Sequence, residues 1–284
     1  MQNNSFSTNK TLNVRGKLID LSVPKVIGIL NVTPDSFFDG NRYTDVAQAL
    51  KQVEKMLMEG AVFIDIGGYS SRPGATDISE EEEISRTAPV IKAIVVEFPE
   101  AIISIDTFRS AVARRAVQEG AAIINDISGG ALDEDMFITV ASLQVPYILM
   151  HMRGNPQTMK ELNQYDFLVK DIIDYFHQRV FQLRALGVKD VIIDPGFGFS
   201  KNIAQNFELL NHLEQFSILG LPLLAGLSRK SMIWNTLQQT AETALNGTTS
   251  LNTVALLKGA AILRVHDVKE AVETIKLIEK LKTK

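Results

Sequence analysis

The chain has 284 residues, 45% of them hydrophobic and 22% charged, so it can bury a large core and suits one enzyme-sized α/β domain better than several small ones. Its net charge of -4 gives no overall basic field that would attract nucleic acid. The sequence contains no cysteine, which excludes disulfides, thiolate catalysis and cysteine-ligated zinc.

The beginning of the chain indicates where the protein acts. The first ten residues, MQNNSFSTNK, are polar and lack the apolar segment of a secretory signal. No stretch approaches the roughly 18 consecutive apolar residues that a membrane span requires. We therefore expect a cytoplasmic protein with neither a nucleic-acid partner nor a membrane partner.

A regular alternation of strands and helices follows a short N-terminal extension. Residues 11–23 alternate loosely around Arg15 and Gly16, which predicts a hairpin within an extension of residues 1–24. The predicted strands are 26–30, 62–66, 102–105, 122–125, 147–150, 191–194, 221–225 and 261–265. The predicted helices are 45–59, 79–97, 109–119, 134–142, 165–186, 203–212, 241–258 and 268–282. Residues 25–284 thus read as a single (β/α)8 TIM barrel, with an open doubly wound sheet as the alternative.

Five apolar segments end in a single acidic or amide residue: Asn31, Asp65, Asp106, Asn125 and Asp194. The carboxyl ends of parallel strands are where such folds place their ligands. Carboxylates gathered there without donors would destabilise one another, so we expect a donor-rich ligand among them. A divalent metal ion and a nitrogen heterocycle with NH and NH2 groups are the two alternatives. For any one of these Asp residues taken singly, and above all for Asp65, a helix N-cap is the competing interpretation.

Two basic segments follow the last two predicted strands. Residues 228–231 (SRKS) come after the seventh strand, and residues 264–267 (RVHD) end the eighth. Loops at these positions of a barrel commonly bind phosphate, helped by a helix N-terminus. Arg264 and His266 are two residues apart on one strand and therefore point to the same side. We expect a diphosphate site here; the alternative is an ordinary surface arginine beside a capped helix.

Three loops have compositions typical of ligand sites. The loops over residues 31–40 and 67–75 are long and rich in Gly and Pro, as functional loops often are. Residues 194–201 (DPGFGFSK) combine glycines that let backbone approach a ligand with phenylalanines that can flank a flat ring. His151 has no zinc-binding motif around it, and the sequence contains no nucleophile elbow or Walker loop.

Eight motifs occur in order along the chain: GILNVTPDSFFDG, DIGGYSSRPGA, SIDTFRS, INDISGG, MHMRGNPQTM, DPGFGFSK, GLSRKSMI and RVHDV. Together they resemble the successive motifs of bacterial dihydropteroate synthases, a pterin-binding TIM-barrel family, over about residues 26–268. The resemblance implies a transferase of folate biosynthesis that joins 7,8-dihydropterin-6-ylmethyl diphosphate to p-aminobenzoate, giving 7,8-dihydropteroate and diphosphate. It also implies inhibition by sulfonamides, which mimic p-aminobenzoate, and a homodimer formed through the late helices.

The resemblance also implies a set of residues for each substrate. The pterin would be bound by Asp106, Asn125, Met150, Asp194, Gly198, Phe199 and Lys230. The diphosphate would be held by Asn31, Arg264 and His266, with Asn31 acting through Mg2+. The p-aminobenzoate would be received by Ser71, Arg72, Ser228 and Lys230. The implied mechanism is dissociative, with catalytic roles for Asp35, Lys230, Arg264 and His266, and with Asp35 stabilising the pterin cation.

Two positions depart from the family pattern, and two other functions stay open. Tyr69 stands where many members carry Glu, and Ser71 where many carry Thr. A pterin-binding methyltransferase module would share the acidic ring but would not need the two basic segments. A non-catalytic paralogue would be expected to lose diphosphate-site residues, and none is lost here, so the sequence favours the synthase.

Overall fold

The computed structural model describes residues 10–33, 42–70 and 77–282. Its first element is an antiparallel hairpin of β1 (Thr11–Val14) and β2 (Lys17–Asp20), which confirms the predicted hairpin. Leu12 and Val14 are fully or almost fully buried and pack with apolar residues at the amino ends of the later strands. The hairpin therefore covers the end of the fold opposite the predicted ligand site.

Eight parallel strands follow the hairpin: β3 (Lys25–Asn31), β4 (Phe63–Gly67), β5 (Ile102–Asp106), β6 (Ile123–Asp126), β7 (Tyr147–Met150), β8 (Val191–Asp194), β9 (Leu224–Ala225) and β10 (Ile262–Val265). They lie in the order β8-β7-β6-β5-β4-β3-β10-β9. A parallel bridge between Ile193 and Leu223 connects the two ends of this sheet. The eight strands thus form the predicted TIM barrel. β9 is shorter than predicted, because Pro222 has no amide hydrogen to donate to a neighbouring strand.

The helices cover the outside of the barrel: α1 (Arg42–Met58), α2 (Glu80–Glu97), α3 (Ser110–Glu119), α4 (Met136–Leu143), α5 (Leu168–Ala185), α6 (Ile203–Asn211), α7 (Ser231–Thr236), α8 (Leu245–Leu257) and α9 (Val268–Lys282). A 3-10 helix over Leu213–Leu219 follows α6. Neither this helix nor α7 was predicted, because both are too short to show a helical repeat in the sequence. No helix in the described part of the chain is long and apolar enough to cross a membrane.

The core consists of three clusters of buried apolar residues. A large cluster fills the space between the barrel and its helices, and a second fills the lower barrel interior. Packing between the barrel and its helices is close at Gly28 of β3, where an added Cβ would lie 2.6 Å from the sulfur of Met56 on α1. A third, smaller cluster at the carboxyl ends of the strands contains Ile127, Met150, Met152, Met159 and Phe199. This last cluster forms one wall of the site described next.

Candidate active site

Side chains from four strands meet around one guanidinium group at the carboxyl end of the barrel. Arg264 of β10 donates from Nε to Oδ2 of Asp65 and from Nη2 to Oδ2 of Asp106, at 2.6 Å in both cases. Asn125 of β6 donates from Nδ2 to the same oxygen of Asp65 at 2.9 Å. The predicted acidic ring is therefore assembled. From the sequence, a ligand alone was expected to donate hydrogen bonds to these carboxylates, whereas in the structure Arg264 donates two of them.

Asp65 is fully buried, and Oδ2 of its side chain accepts hydrogen bonds from both Arg264 and Asn125, as a buried polar group requires. The competing interpretation of Asp65 as a helix N-cap is wrong. The next helix, α2, begins fifteen positions later at Glu80, where Ser79 provides the cap. The side chain of Asp65 instead points into the barrel, as every second residue of a strand does.

The electrostatics of the ring follow from burial and from the spacing of its charges. Burial raises the pKa of Asp106 to about 7; Arg264 opposes this shift and Asp65 adds to it. Burial also raises the pKa of Asp194, although a hydrogen bond from the amide of Gly196 opposes the rise. For Arg264, burial lowers the pKa, but Asp65 and Asp106 more than compensate and raise it above its ordinary value. The guanidinium is therefore a fixed positive charge among carboxyls that can still change protonation.

Lys230 lies on the opposite side of the ring from Arg264's carboxylate partners, against the loop after β8. Its Nζ is 4.2 Å from the ring centroid of Phe199, a cation–π contact. Gly198 has φ +81°, and a Cβ added there would lie 3.0 Å from Cδ of Lys230. Phe199 packs in the same apolar cluster as Met150. The structure thus brings together four predicted pterin residues, one at the end of β7 and three from the loops after β8 and β9.

The ammonium of Lys230 is also shifted by its surroundings. Burial, together with the nearby charge of Arg264, lowers the pKa of Lys230 to about 8. Asp194 and Asp106 act in the opposite direction and favour the charged form. Lys230 is therefore a donor whose charge depends on the acidic ring around it.

Ser228 and His266 form a second polar pair beside the ring. Oγ of Ser228 lies 3.1 Å from Nδ1 of His266 and accepts from the backbone amide of His266 at 3.2 Å. Burial lowers the pKa of His266 to about 4, helped by the positive charges of Arg264 and Arg229. His266 is therefore neutral near pH 7 and offers an N–H donor rather than the positive charge expected of this segment.

Arg229 has a structural function in this arrangement. Its guanidinium binds Asp267 twice, from Nε to Oδ2 at 3.1 Å and from Nη2 to Oδ1 at 2.6 Å. This forked ion pair ties the loop after β9 to the loop after β10. Only Lys230 of the two basic residues in the SRKS segment is thus directed toward the acidic ring.

Asn31 ends β3 on the other side of Asp106. A Cβ added to Gly67 would lie 3.7 Å from Oδ1 of Asn31 and 3.6 Å from Cβ of Asp106, so both side chains border the same glycine. Among the described residues, no group of three or more His, Cys, Asp or Glu side chains is arranged to hold a metal ion. The predicted site residues Asp35, Ser71 and Arg72 lie outside the described residues.

Comparison with known proteins decides the family. A family model described as "Pterin binding enzyme" matches residues 27–266. The chain belongs to the pterin-binding enzyme family. It is 43% identical over 271 residues to dihydropteroate synthase of Escherichia coli (strain K12), covering 93% of this chain and 94% of the relative.

Solved structures of other family members have the same fold. Yersinia pestis dihydropteroate synthase in a sulfonamide drug complex superimposes with a TM-score of 0.91 at 41% identity, covering 96% of this chain and 100% of that one. Xanthomonas albilineans dihydropteroate synthase in complex with 7,8-dihydropteroate gives a TM-score of 0.86 at 36% identity, covering 96% and 99%.

Tyr69, one of the two departures from the family pattern, has well-defined neighbours. Its ring meets Phe108 edge-on, with centroids 5.0 Å apart, and its hydroxyl accepts from Nε2 of Gln157 at 3.0 Å. The guanidinium of Arg109 lies 5.4 Å from the Tyr69 ring. Tyr69 thus links the loop after β4 to the loops after β5 and β7, a packing role that a glutamate in its place would not fill.

Asp126 is a buried carboxylate that sequence reasoning missed. It is fully buried and accepts from the amides of Ser128 and Gly130 at 2.7 Å and from the hydroxyl of Tyr147 at 2.6 Å. These bonds fix the turn that follows Asn125. Asp126 therefore holds Asn125 in place but is not itself part of the acidic ring. The Asp-x-Ser spacing of an Asx turn was the available signal.

Proposed function

We propose that this chain is a dihydropteroate synthase, a transferase that moves a pterinylmethyl group from diphosphate to the amino group of p-aminobenzoate. The observation that carries the proposal is the acidic ring with Arg264 at its centre, found in a chain 43% identical to the E. coli synthase over nearly its full length. The methyltransferase alternative is disfavoured, because its chemistry does not use Lys230, Arg264 and His266 around one pocket.

The acidic ring and the apolar cluster would receive the pterin. A reduced pterin presents ring N–H and NH2 donors, which suit the oxygens of Asp106, Asn125 and Asp194. Lys230 would donate to the pterin carbonyl. Met150 and Phe199 would cover the face of the ring, with Gly198 allowing the backbone to come close.

Arg264 and His266 would hold the diphosphate. The bonds to Asp65 and Asp106 use two of the five N–H donors of the guanidinium, so others can bind phosphate oxygens. His266 contributes a neutral N–H donor from the same strand. When the C–O bond to the pterin methylene breaks, the electron pair leaves with the diphosphate, and these donors stabilise the developing charge.

Magnesium would act beside Asn31. The side-chain oxygen of Asn31 is a hard ligand that fits Mg2+, which normally takes one or two protein ligands together with substrate phosphates and water. The lack of a multi-carboxylate cage among the described residues agrees with such a site. When bound, Mg2+ would neutralise part of the negative charge of the leaving diphosphate.

The second substrate would bind on the Ser228 side of the pocket. Ser228 and Lys230 would contact p-aminobenzoate together with Ser71 and Arg72 of the loop after β4. The lone pair of the arylamine attacks the pterin methylene cation, and the nitrogen then loses a proton to solvent. A neutral aniline is already nucleophilic, so no strong base is required. Sulfonamides would compete with p-aminobenzoate at this position. Asp35 would stabilise the pterin methylene cation.

We expect a homodimer in the cytoplasm. In this single chain the late helices carry exposed leucines, with Leu257 60%, Leu277 70% and Leu281 71% exposed, which suits an interface between two copies. Light scattering on purified protein tests the dimer. The cytoplasmic location stays a prediction from the sequence.

Release of diphosphate tests the proposed reaction. Purified protein with Mg2+, 7,8-dihydropterin-6-ylmethyl diphosphate and p-aminobenzoate should release diphosphate continuously. Omitting p-aminobenzoate should reduce the rate by at least about tenfold, because the cation then lacks its nucleophile. A rate that is low and unchanged by p-aminobenzoate would contradict synthase activity.

A further inference from the structure

A buried lysine lies beneath the loop that carries Gly198 and Phe199. Lys201 is 9% exposed, and no carboxylate among the described residues forms an ion pair with it. Its Nζ donates to the carbonyl oxygens of Gly196 and Phe199, both at 3.0 Å. It also lies 3.1 Å from Nδ1 of His151. Three acceptors therefore surround an ammonium group that has three protons.

The chemistry of this contact settles the state of His151. When Lys201 is charged its ammonium group has no lone pair, so Nδ1 of His151 must accept from it and the imidazole must be neutral. His151 is 2% exposed, and burial together with the charges of Lys201 and Arg153 lowers its pKa well below its ordinary value. The histidine that had no metal-binding motif in the sequence is thus an acceptor for Lys201.

Lys201 holds both ends of one tight turn. The amide of Phe199 donates to the carbonyl of Gly196 at 3.1 Å, and Lys201 binds both carbonyls of this turn. Gly196 has φ +73°, and a Cβ added there would lie 2.1 Å from the carbonyl oxygen of His151. The turn is therefore packed closely against the residue that follows β7.

The other side-chain hydrogen bonds of this loop do not involve the carbonyl oxygens of Gly196 and Phe199 that Lys201 binds. Asn206 accepts from the amide of Gly198 at 2.7 Å, and Ser200 bonds with the backbone of Arg153 at 2.8 and 2.9 Å. In the described part of the chain, Lys201 is the side chain that binds the carbonyls of Gly196 and Phe199. Its removal would free the part of the loop that faces the pocket.

The same turn touches the residues proposed to bind the pterin. The amide of Gly196 donates to Oδ1 of Asp194 at 2.8 Å, and the ring of Phe199 lies under Nζ of Lys230 at 4.2 Å. A shift of the turn would therefore move the Phe199 ring and disturb both charged groups. Ser228 makes no such contact with the turn among the described residues, so the turn reaches the p-aminobenzoate site only through Lys230, which both substrates share.

We propose that Lys201 and His151 act together as positioning residues for the pterin pocket, by fixing the 196–199 turn from beneath. The inference rests on the proposed function, since it assigns the turn to the pterin and not to p-aminobenzoate. Neither residue touches a substrate in this account. A buried ammonium is costly, and burial lowers the pKa of Lys201 to about 7, with Asp194 opposing and Lys230 and Arg153 adding to the shift.

Steady-state kinetics with each substrate varied in turn separate positioning from general loss of structure. Turnover by the wild-type protein tests the proposed function by itself. Only the ratio of the variant's KM to the wild-type KM tests this inference. Lys201→Met keeps the length of the side chain but removes its donors. We expect KM for the dihydropterin diphosphate to rise by about tenfold or more, since charge-assisted hydrogen bonds fix the turn. At saturating dihydropterin diphosphate, KM for p-aminobenzoate should rise by a clearly smaller factor, because Lys230 alone of its described contact residues touches the turn.

A pair of substitutions at His151 tests the same contact from the other side. His151→Asn places an amide oxygen near the position of Nδ1 and should keep KM for the dihydropterin diphosphate within about threefold of wild type. His151→Leu removes the acceptor and should raise that KM as Lys201→Met does. This pair decides the question if Lys201→Met does not fold.

Lys258→Met is the matched control. Lys258 also binds a backbone carbonyl, that of Asn211 at 2.6 Å, and a carboxylate of Glu214 at 2.9 Å, but on the outer helices. Its substitution should leave both KM values unchanged. The proposal is overturned if Lys201→Met and His151→Leu change neither KM, if they raise both KM values equally, or if His151→Asn is as defective as His151→Leu.

Discussion

Oδ2 of Asp65 lies 2.6 Å from Nε of Arg264, although 199 residues separate them along the chain. Asp65 belongs to β4 and Arg264 to β10, and β3 lies between these strands in the sheet. The bond therefore passes over β3 inside the barrel and connects its second and last βα units. It also fixes the guanidinium so that its second branch reaches Asp106 on β5. The acidic ring is thus neutralised from within by a residue proposed to bind diphosphate.

Substituting Asp65 should destabilise the fold. Asp65→Asn leaves a buried guanidinium with one carboxylate fewer, and removing one partner of a buried pair costs about 3–5 kcal/mol in free energy of unfolding. Urea unfolding measures this loss. Glu100→Gln is the control, because Glu100 pairs with Lys17 at 2.8 Å but is 87% exposed, so its loss should barely change the free energy of unfolding. Equal losses in the two variants would contradict the structural role of Asp65.

Catalysis should have a narrow pH optimum. The pKa of Asp106 is raised to about 7 and that of Lys230 is lowered to about 8. Below pH 7 protonated Asp106 stops accepting from the pterin, and above pH 8 neutral Lys230 loses its charge, so kcat/KM for the dihydropterin diphosphate falls on both sides. Lys230→Met should remove the part of the alkaline decline that is due to Lys230; the part that remains is due to Lys201, whose pKa burial lowers to about 7. A profile that is flat from pH 6 to 9 would show that neither group titrates in the free enzyme.

Loss of Lys230 should affect both substrates. It is proposed to donate to the pterin carbonyl and to border the p-aminobenzoate site, and a charge-assisted hydrogen bond contributes about 1.5–3 kcal/mol. Lys230→Ala should therefore reduce kcat/KM for each substrate by about tenfold or more. Lys170→Ala, which removes an exposed lysine paired with Asp174, should have no effect. Near-normal turnover of a folded Lys230→Ala protein would remove Lys230 from the site.

Removing divalent metal should stop the reaction. EDTA should abolish turnover, and excess Mg2+ should restore it, because Mg2+ is proposed to bind together with the diphosphate. Asn31→Ala should raise the Mg2+ concentration needed for half-maximal rate. Calorimetry should detect only weak Mg2+ binding to the free protein, since Asn31 alone offers few ligands. Full activity in EDTA, or a tight stoichiometric metal in the free protein, would contradict this site.

The sequence predicted the barrel and the ring well, for identifiable reasons. Buried parallel strands have an apolar repeat, and Asp65, Asp106 and Asn125 interrupt that repeat at its ends. The partners of these residues could not be predicted from the sequence. Whether Arg264 binds a diphosphate or two carboxylates depends on distances in the folded protein. The neutral state of His266 depends on burial and on nearby Arg264 for the same reason.

Residues that act by supporting others were the least visible in the sequence. Lys201 is one of 29 basic residues, and nothing local indicates that its ammonium is buried beneath a turn. His151 was set aside because no metal-binding motif accompanies it. The contact between Lys201 and His151 is visible only in the folded protein. There β7 and β8 lie side by side and bring together these two residues, which are 50 positions apart in the sequence.

Identification of the product tests the central claim most directly. Mass spectrometry of the complete reaction should detect 7,8-dihydropteroate with wild-type protein, in an amount equal to the diphosphate released. Asp194→Asn alters the acidic ring and should lower the amount of product by about tenfold or more while the protein remains folded. Diphosphate release without dihydropteroate, or product formation unaffected by Asp194→Asn, would contradict a synthase that binds its pterin in this ring.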